Sequence, residues 1–300
     1  MDLTQLWIPA TLAAAAAQTA RNATQRTLTQ TIGTVGATQV RFLYGFPFSL
    51  LFLVGVLGVT GEQLPAPQAS FAAYLILGAV AQILATALML AAMRERSFSV
   101  ITALIKTEPV QTAIFGLALL GDPLTLPLLA AIVVATAGVV LMSINAGAKA
   151  STLSAGPVVM GIGAGALFAL AAIGFRGAIL ELPSGSFLIR ATTTLVWGLG
   201  VQTLILVLWL AMFDRAALWG SLKAWRPSLG AGFLGALASQ FWFIGFSLTS
   251  AANVRTLALV EVLMAQAISR RLFRQETSAR ELLGMGLIIV GVVLLLVAQT

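Results

Sequence analysis

Apolar residues in this chain run in long stretches, separated by short breaks rich in turn formers and charge. A helix needs about 20 apolar residues to cross the hydrocarbon of a bilayer. Ten such stretches are read, at 4–22, 35–59, 70–92, 99–120, 124–144, 157–179, 186–213, 229–248, 252–273 and 282–299. The breaks carry Gly61 to Pro67, Arg94-Glu95-Arg96, Gly121-Asp122-Pro123, Ala146 to Gly156, Pro183-Ser184-Gly185, Asp214 to Pro227 and Arg270 to Arg280. No connection exceeds about 15 residues, too few for a soluble domain between spans. The expected fold is an all-α integral membrane protein of ten transmembrane helices.

Composition supports this reading. The 300 residues are 59% hydrophobic and 9% charged, with a mean hydropathy of +0.99. A soluble domain carries about a quarter charged residues, so most of this surface must face lipid. The chain has no Cys and no His. That removes disulfides, thiolate chemistry, the usual zinc sites and Ser-His or Cys-His nucleophile pairs. No cofactor is expected, and neither is an enzyme. A P-loop is also absent, so a carrier, facilitator or channel fits better than a pump with its own ATPase.

The formal charge of +7 does not form a nucleic-acid patch; the basic residues recur at the ends of apolar stretches. Loops after odd-numbered stretches hold Arg21, Arg26, Arg94, Arg96, Lys149, Arg215, Lys223, Arg226, Arg270, Arg271, Arg274 and Arg280. The other side has Arg176, Arg190 and Arg255, close to helix ends. Twelve against three places the odd loops in the cytoplasm and both termini outside it. Arg41 can snorkel to the cytoplasmic face. No Lys or Arg precedes Arg21, so the Ala-rich start reads as an uncleaved first helix rather than a signal peptide. Trp7, Trp197, Trp209, Trp219 and Trp225 read as mostly interfacial.

The second half echoes the first. A shift of 153 residues lays Glu108 on Glu261 and Gly138-Val139-Val140-Leu141 on Gly291-Val292-Val293-Leu294. A shift of 157 lays Leu77-Gly78-Ala79 on Leu234-Gly235-Ala236. Acids are rare here, so the Glu match carries most weight. The repeat unit holds five spans, an odd number, so the second copy must enter the membrane inverted. The expected halves are 1–148 and 149–300.

Thr107-Glu108-Pro109-Val110, the short Gly121-Asp122-Pro123-Leu124 turn and the two Gly-Val-Val-Leu helix ends give the chain a resemblance to a known family. It resembles the drug/metabolite transporter superfamily, in its EamA-like branch, over nearly its whole length. Val262 stands where the first copy has Pro109, a departure from the pattern. The resemblance implies two inverted five-helix repeats in the inner membrane, with stretches 3, 4, 8 and 9 around a midplane cavity. It also implies a secondary transporter of small molecules, looking most like exporters of amino acids, aromatic ones included. Another drug or metabolite, or a channel, is the alternative.

Glu108 and Glu261 each fall near the bilayer midplane, where an unpaired charge costs at least ~2.5 kcal/mol. They either meet substrate or a proton, or staple neighbouring helices. Lys106 lies about 200° round an ideal helix from Glu108. It either faces a cavity and a substrate carboxylate, or pairs with a carboxyl on another helix or snorkels. Pro109 removes the hydrogen bond to the Ile105 carbonyl and bends the helix. Gly78, Gln82, Ala85, Thr86 and Met89 share one face; the 157 shift turns them into Gly235, Ser239, Trp242, Phe243 and Phe246. That set reads as a small polar wall and an aromatic wall of a pocket, or as ordinary packing. Gln240 and Phe241 widen it. Gly161-Ile162-Gly163-Ala164-Gly165 lies within an apolar helix and reads as small-residue packing, not a nucleotide loop.

Overall fold

The structure is a computed structural model, and it describes residues 3–95, 101, 104–143, 155–264, 266 and 278–298. After a 3-10 turn at Leu3–Leu6, the chain is helical. The elements are α1 (Trp7–Leu43), α2 (Gly45–Thr60), α3 (Ala69–Glu95), α4 (Glu108–Leu120), α5 (Leu126–Ser143) and α6 (Ala155–Leu180). They continue with α7 (Phe187–Phe213), α8 (Arg215–Lys223), α9 (Trp225–Leu248), α10 (Ala251–Leu257) and α11 (Ala279–Val297). Of the expected breaks, Arg96, residues 146–154 and most of 270–280 lie outside the described residues.

Six helices are long and apolar enough to cross a membrane, among the described residues: 38–60, 69–89, 158–180, 187–213, 225–248 and 279–297. Glu108–Leu120 and Leu126–Met142 are apolar but shorter. Ten complete spans are not confirmed among the described residues, and two of the expected stretches are interrupted. The fourth stretch is divided by a turn at Lys106-Thr107, and the ninth by a turn at Ala258-Leu259. The large exposed side chains are apolar, with Val59 89% and Leu126 82% exposed. Such a surface is stable only in lipid.

The break expected between the first two stretches is absent as a loop: α1 is helical through it, and the chain interrupts at Tyr44 instead. Residues 12–32 contain neither Gly nor Pro to stop a helix. Pro47 stops it later, because its ring collides with the carbonyl four residues back, at Leu43. Yet α1 is not straight. The stems of Arg21 and Arg41 both lie against Gly235, 3.5 Å and 3.3 Å from where its Cβ would be. A straight helix would hold residues twenty apart at about 30 Å, so α1 bends sharply between them. Arg21 is buried there, which corrects its reading as a surface anchor. Trp7, at 3% exposure, is also buried rather than interfacial, whereas Trp197, Trp209, Trp219 and Trp225 are exposed.

The helices group into two compact units. One takes Met1–Ile83 and Gly174–Thr249; the other takes Leu84–Ile173 and Ser250–Thr300. Each unit therefore draws helices from both sequence repeats.

In the first unit, glycines let helices meet at backbone distance. A Cβ on Gly174 would stand 2.5 Å from the Gly78 nitrogen, and one on Gly177 2.4 Å from the Tyr74 ring. One rim is pinned by hydrogen bonds: Ser70 Oγ donates to Glu181 (2.5 Å) and Ser186 N to Glu62 (2.6 Å). These join the loops after the second and sixth stretches, which the charge pattern assigns to one side. Elsewhere Tyr44 donates to the Ser221 carbonyl (3.0 Å).

In the second unit, α5 and α11 carry the Gly-Val-Val-Leu ends of the two repeats, and these pack on each other. A Cβ on Gly138 would meet Gly284 O at 2.6 Å and Ile288 N at 2.8 Å. One on Gly291 would meet Ala135 N at 2.6 Å and Ala131 O at 2.9 Å. The 153-residue shift maps one set of neighbours onto the other. Moving back along α5 moves the contact forward along α11, so the equivalent helices run antiparallel. This is the packing an inverted repeat requires at its own axis. The Gly161–Gly165 run packs closely too, with Gly161 against Leu104, Gly163 against Leu88 and Gly165 against Ile105. Ser278 and Glu281 form a reciprocal cap at the start of α11.

Candidate functional site

The most unusual chemistry lies in the second unit, at two interrupted helices. In the fourth stretch, residues 104–105 are helical, Lys106-Thr107 form a turn, and α4 begins at Glu108. Pro109 sits in the first turn of α4 and donates no hydrogen bond. The Ile105 carbonyl, which Pro109 cannot reach with an N–H, lies against Gly165, 3.1 Å from the position of a Cβ. Three-residue bonds from Thr107 N to Leu104 O and from Val110 N to Thr107 O tighten the turn.

The ninth stretch repeats the device without a proline. α10 ends at Leu257, Ala258-Leu259 form the turn, and helix resumes at 260–264. Leu259 N bonds to Thr256 O, Glu261 N to Ala258 O, and Val262 N to Leu259 O, all three-residue bonds. Glu108 and Glu261 thus each lie at the start of the second piece of a broken helix, Glu108 as its first residue and Glu261 as its second. At such helix starts the peptide dipoles favour negative charge. Lys106 follows the end of one first piece, and Arg255 sits in the last turn of the other. Helix C-termini favour positive charge.

The four side chains pair across the two helices. Lys106 Nζ pairs with Glu261 Oε1. Arg255 Nε lies 3.0 Å from Glu108 Oε1. Side-chain exposure is 17% for Lys106, 12% for Glu261, 13% for Arg255 and 11% for Glu108. The cluster is net neutral and largely sealed. Neutrality is what permits it, since one buried ion without its partner costs about 3–5 kcal/mol.

This arrangement decides several open readings. Of the alternatives for Lys106, pairing with a carboxyl on another helix is the one observed. The helical-wheel separation of Lys106 from Glu108 does not apply, because the turn between them interrupts the wheel. Arg255 is not a membrane-edge anchor but half of an ion pair, and sequence reasoning missed it. A signal was present: only the fourth and ninth stretches hold an acid, and each also holds a nearby cation. Leu259, which matches Lys106 in the second copy, is 1% exposed and packs with Ala135, Val139 and Ile288. Only one copy therefore brings a cation from its turn to the cluster.

The other expected site residues divide between the units. Thr86, in the second unit, is buried. Gln82, Ser239, Trp242, Phe243 and Phe246 belong to the first unit, with all but the partly buried Gln82 buried. There several polar groups meet neutral partners. Gln202 donates to Gln82 (2.7 Å), Gln240 to Thr192 (2.8 Å), and Trp242 Nε1 to Gln18 (3.3 Å). Phe243 packs on Phe175 with ring centroids 4.8 Å apart, and on Phe246 at 6.2 Å. Arg176 donates to the carbonyls of Phe246 (2.6 Å) and Thr249, capping the end of α9. That explains a cation which charge counting left without a purpose.

Two successive matches to the model of the EamA-like transporter family, at residues 5–144 and 156–297, account for almost the whole sequence. The chain belongs to the EamA-like transporter family. It is thus a multi-pass membrane transporter of the drug/metabolite type, built from two family repeats. The breaks at Lys106-Thr107 and Ala258-Leu259 fall at corresponding places, one in each EamA repeat. A solved structure described as "Crystal structure of protein" shares the fold, with a TM-score of 0.70 and 14% identity over 99% of both chains. No curated protein matches this chain.

Proposed function

We propose that this EamA-family protein is a secondary transporter that exports amino acids, working by alternating access around a midplane cavity in the inner membrane. The observation that carries the reading is the net-neutral set of four charges at two broken helices. Discontinuous helices expose backbone groups and dipole ends, and transporters use such ends to hold charged substrate groups. An amino acid brings one carboxylate and one ammonium, the two groups this set can receive.

In this reading Lys106, Glu108 and Glu261, with Thr86 as a neutral polar group of the same unit, handle the charged end of the substrate. In the first unit, Gln82 and Ser239 offer neutral polar groups and Trp242, Phe243 and Phe246 an apolar surface, proposed as substrate contacts in their own right. The test is uptake of labelled amino acids into liposomes by wild type, Lys106→Ala and Trp242→Ala. Saturable counterflow by wild type is expected, with both variants reduced roughly tenfold or more. Flux that does not saturate identifies a channel instead. Undiminished transport by both variants removes the site assignment, and transport of other metabolites alone removes the amino-acid assignment.

A further inference from the structure

One corner of the first unit exposes cations and large apolar side chains together. α8 is a helix of 9 residues that joins the end of α7 to the start of α9. Both neighbours are long and apolar enough to cross a membrane, so α8 lies at one membrane surface. It is fastened to the unit. The Asp214 carboxylate accepts from Ala217 N (3.0 Å) to cap its first turn, Ser221 is buried, and Tyr44 donates to the carbonyls of Ser221 (3.0 Å) and Leu222 (3.3 Å).

That attachment fixes which face turns outward. Arg215, Trp219, Leu222 and Lys223 stand at i, i+4, i+7 and i+8, so they share one helix face, away from Ser221, and all four are exposed. Trp225 and Arg226 carry the exposed surface onto α9, with the guanidinium 5.3 Å from the ring centroid. Arg215 donates from Nε to the Ala211 carbonyl (2.9 Å), which keeps its Nη hydrogens for a ligand. Asp214, already the cap of α8, is the only acid between residues 187 and 248.

Water disfavours Trp219, Leu222 and Trp225 on an open surface, and hydrocarbon disfavours Arg215, Lys223 and Arg226. The headgroup layer of a bilayer suits both, because indoles settle there and its phosphates meet cations. A zwitterionic lipid brings its own ammonium and leaves three cations unbalanced. An anionic lipid does not, and each cation near such a surface raises affinity for it roughly fivefold. We infer that this corner of α8 and α9 is a docking surface for anionic phospholipids. Their phosphates meet Arg215, Lys223 and Arg226, while Trp219, Leu222 and Trp225 lie beside the glycerol and upper acyl chains. The surface is separate from the charges at the broken helices, and it does not depend on the substrate.

The chain has no Cys, so a fluorophore can be attached at single positions. Ala216→Cys places it on the exposed side of α8, and Gln68→Cys places it on the exposed loop before α3, at the other membrane surface. Full-length protein with either label is reconstituted into vesicles of equal phosphatidylglycerol and phosphatidylcholine, with a doxyl quencher on one lipid or the other. At Ala216→Cys the phosphatidylglycerol quencher is expected to act roughly fivefold more strongly than the phosphatidylcholine quencher. Raising NaCl from about 0.05 to 0.5 M should bring the preference below about twofold. Replacing Arg215, Lys223 and Arg226 together by Gln should do the same at low salt. At Gln68→Cys the two quenchers should act alike.

Equal quenching by the two lipids at Ala216→Cys overturns the inference. So does an equal preference at Gln68→Cys, which would be general attraction to a basic protein, and so does a preference that survives the triple substitution. If the triple variant fails to insert, the salt series on the native cations decides, and a preference unmoved by salt overturns the proposal.

Discussion

The two units bury polar groups in the same apolar surroundings by different means. In the first, alongside the buried Arg21, several groups are neutral and pair side chain to side chain: Gln82 with Gln202, Thr192 with Gln240, Gln18 with Trp242. These residues sit on helices that continue unbroken past them. In the second, the groups are charged, and both helices that carry the acids are interrupted within two or three residues of them. A neutral amide needs only a hydrogen-bond partner, worth about 1 kcal/mol net. A charge needs its counter-ion and a favourable field, and an interrupted helix supplies the field at both of its new ends.

The largest effect expected from this contrast is in the second unit. Arg255→Met leaves Glu108 buried without its counter-ion and should destabilise the protein by about 3–5 kcal/mol, read as a loss of thermal stability in detergent. Adding Glu108→Leu to that variant should recover most of the loss, because no uncompensated charge remains. Failure of the double variant to recover would mean that the ions hold the break open by more than their mutual neutrality.

A smaller effect is expected in the first unit. Gln202→Leu removes the donor to Gln82 and should cost about 1–3 kcal/mol, again by thermal melting. A loss equal to that of Arg255→Met would erase the distinction between the units.

The smallest effect lies at the rim, outside the spans. Hydrogen bonds from the Ser186 side chain and its backbone N–H hold the Glu62 carboxyl below its ordinary pKa of 4.5. A lowered carboxyl pKa stabilises the fold above the ordinary value and ceases to as pH falls through the folded one. Wild type should therefore melt slightly above Glu62→Gln at neutral pH, and the difference should shrink below about pH 4.5. A difference that grows on acidification would exclude this link.

Much was legible from residue order alone. Hydrophobic run length predicted the helical membrane class, because a lipid-facing helix must be apolar over a fixed length whatever it packs against. The 153-residue echo of Glu108 in Glu261 singled out the two acids as a pair, but the breaks beside them appeared only in the structure. The same echo marked the Gly-Val-Val-Leu ends as equivalent, while the antiparallel contact of α5 with α11 was visible only in the structure. The inward face through Gly78, Ala85 and Thr86 followed from helical spacing, as did that through Gly235, Ser239, Trp242, Phe243 and Phe246.

What the chain order could not contain was partnership across helices. Helical spacing fixes which residues share a face only while the helix continues, and it says nothing of which helix lies opposite. The turn before Glu108 freed Lys106 from the wheel that separated them, and the facing helix supplied Arg255 from a place that looked like a membrane edge. Arg176, likewise, found its purpose at carbonyls seventy residues away. Residue order set which charges are buried in this protein; tertiary packing chose their counter-ions, because Coulomb attraction depends on distance in space and is indifferent to distance along the chain.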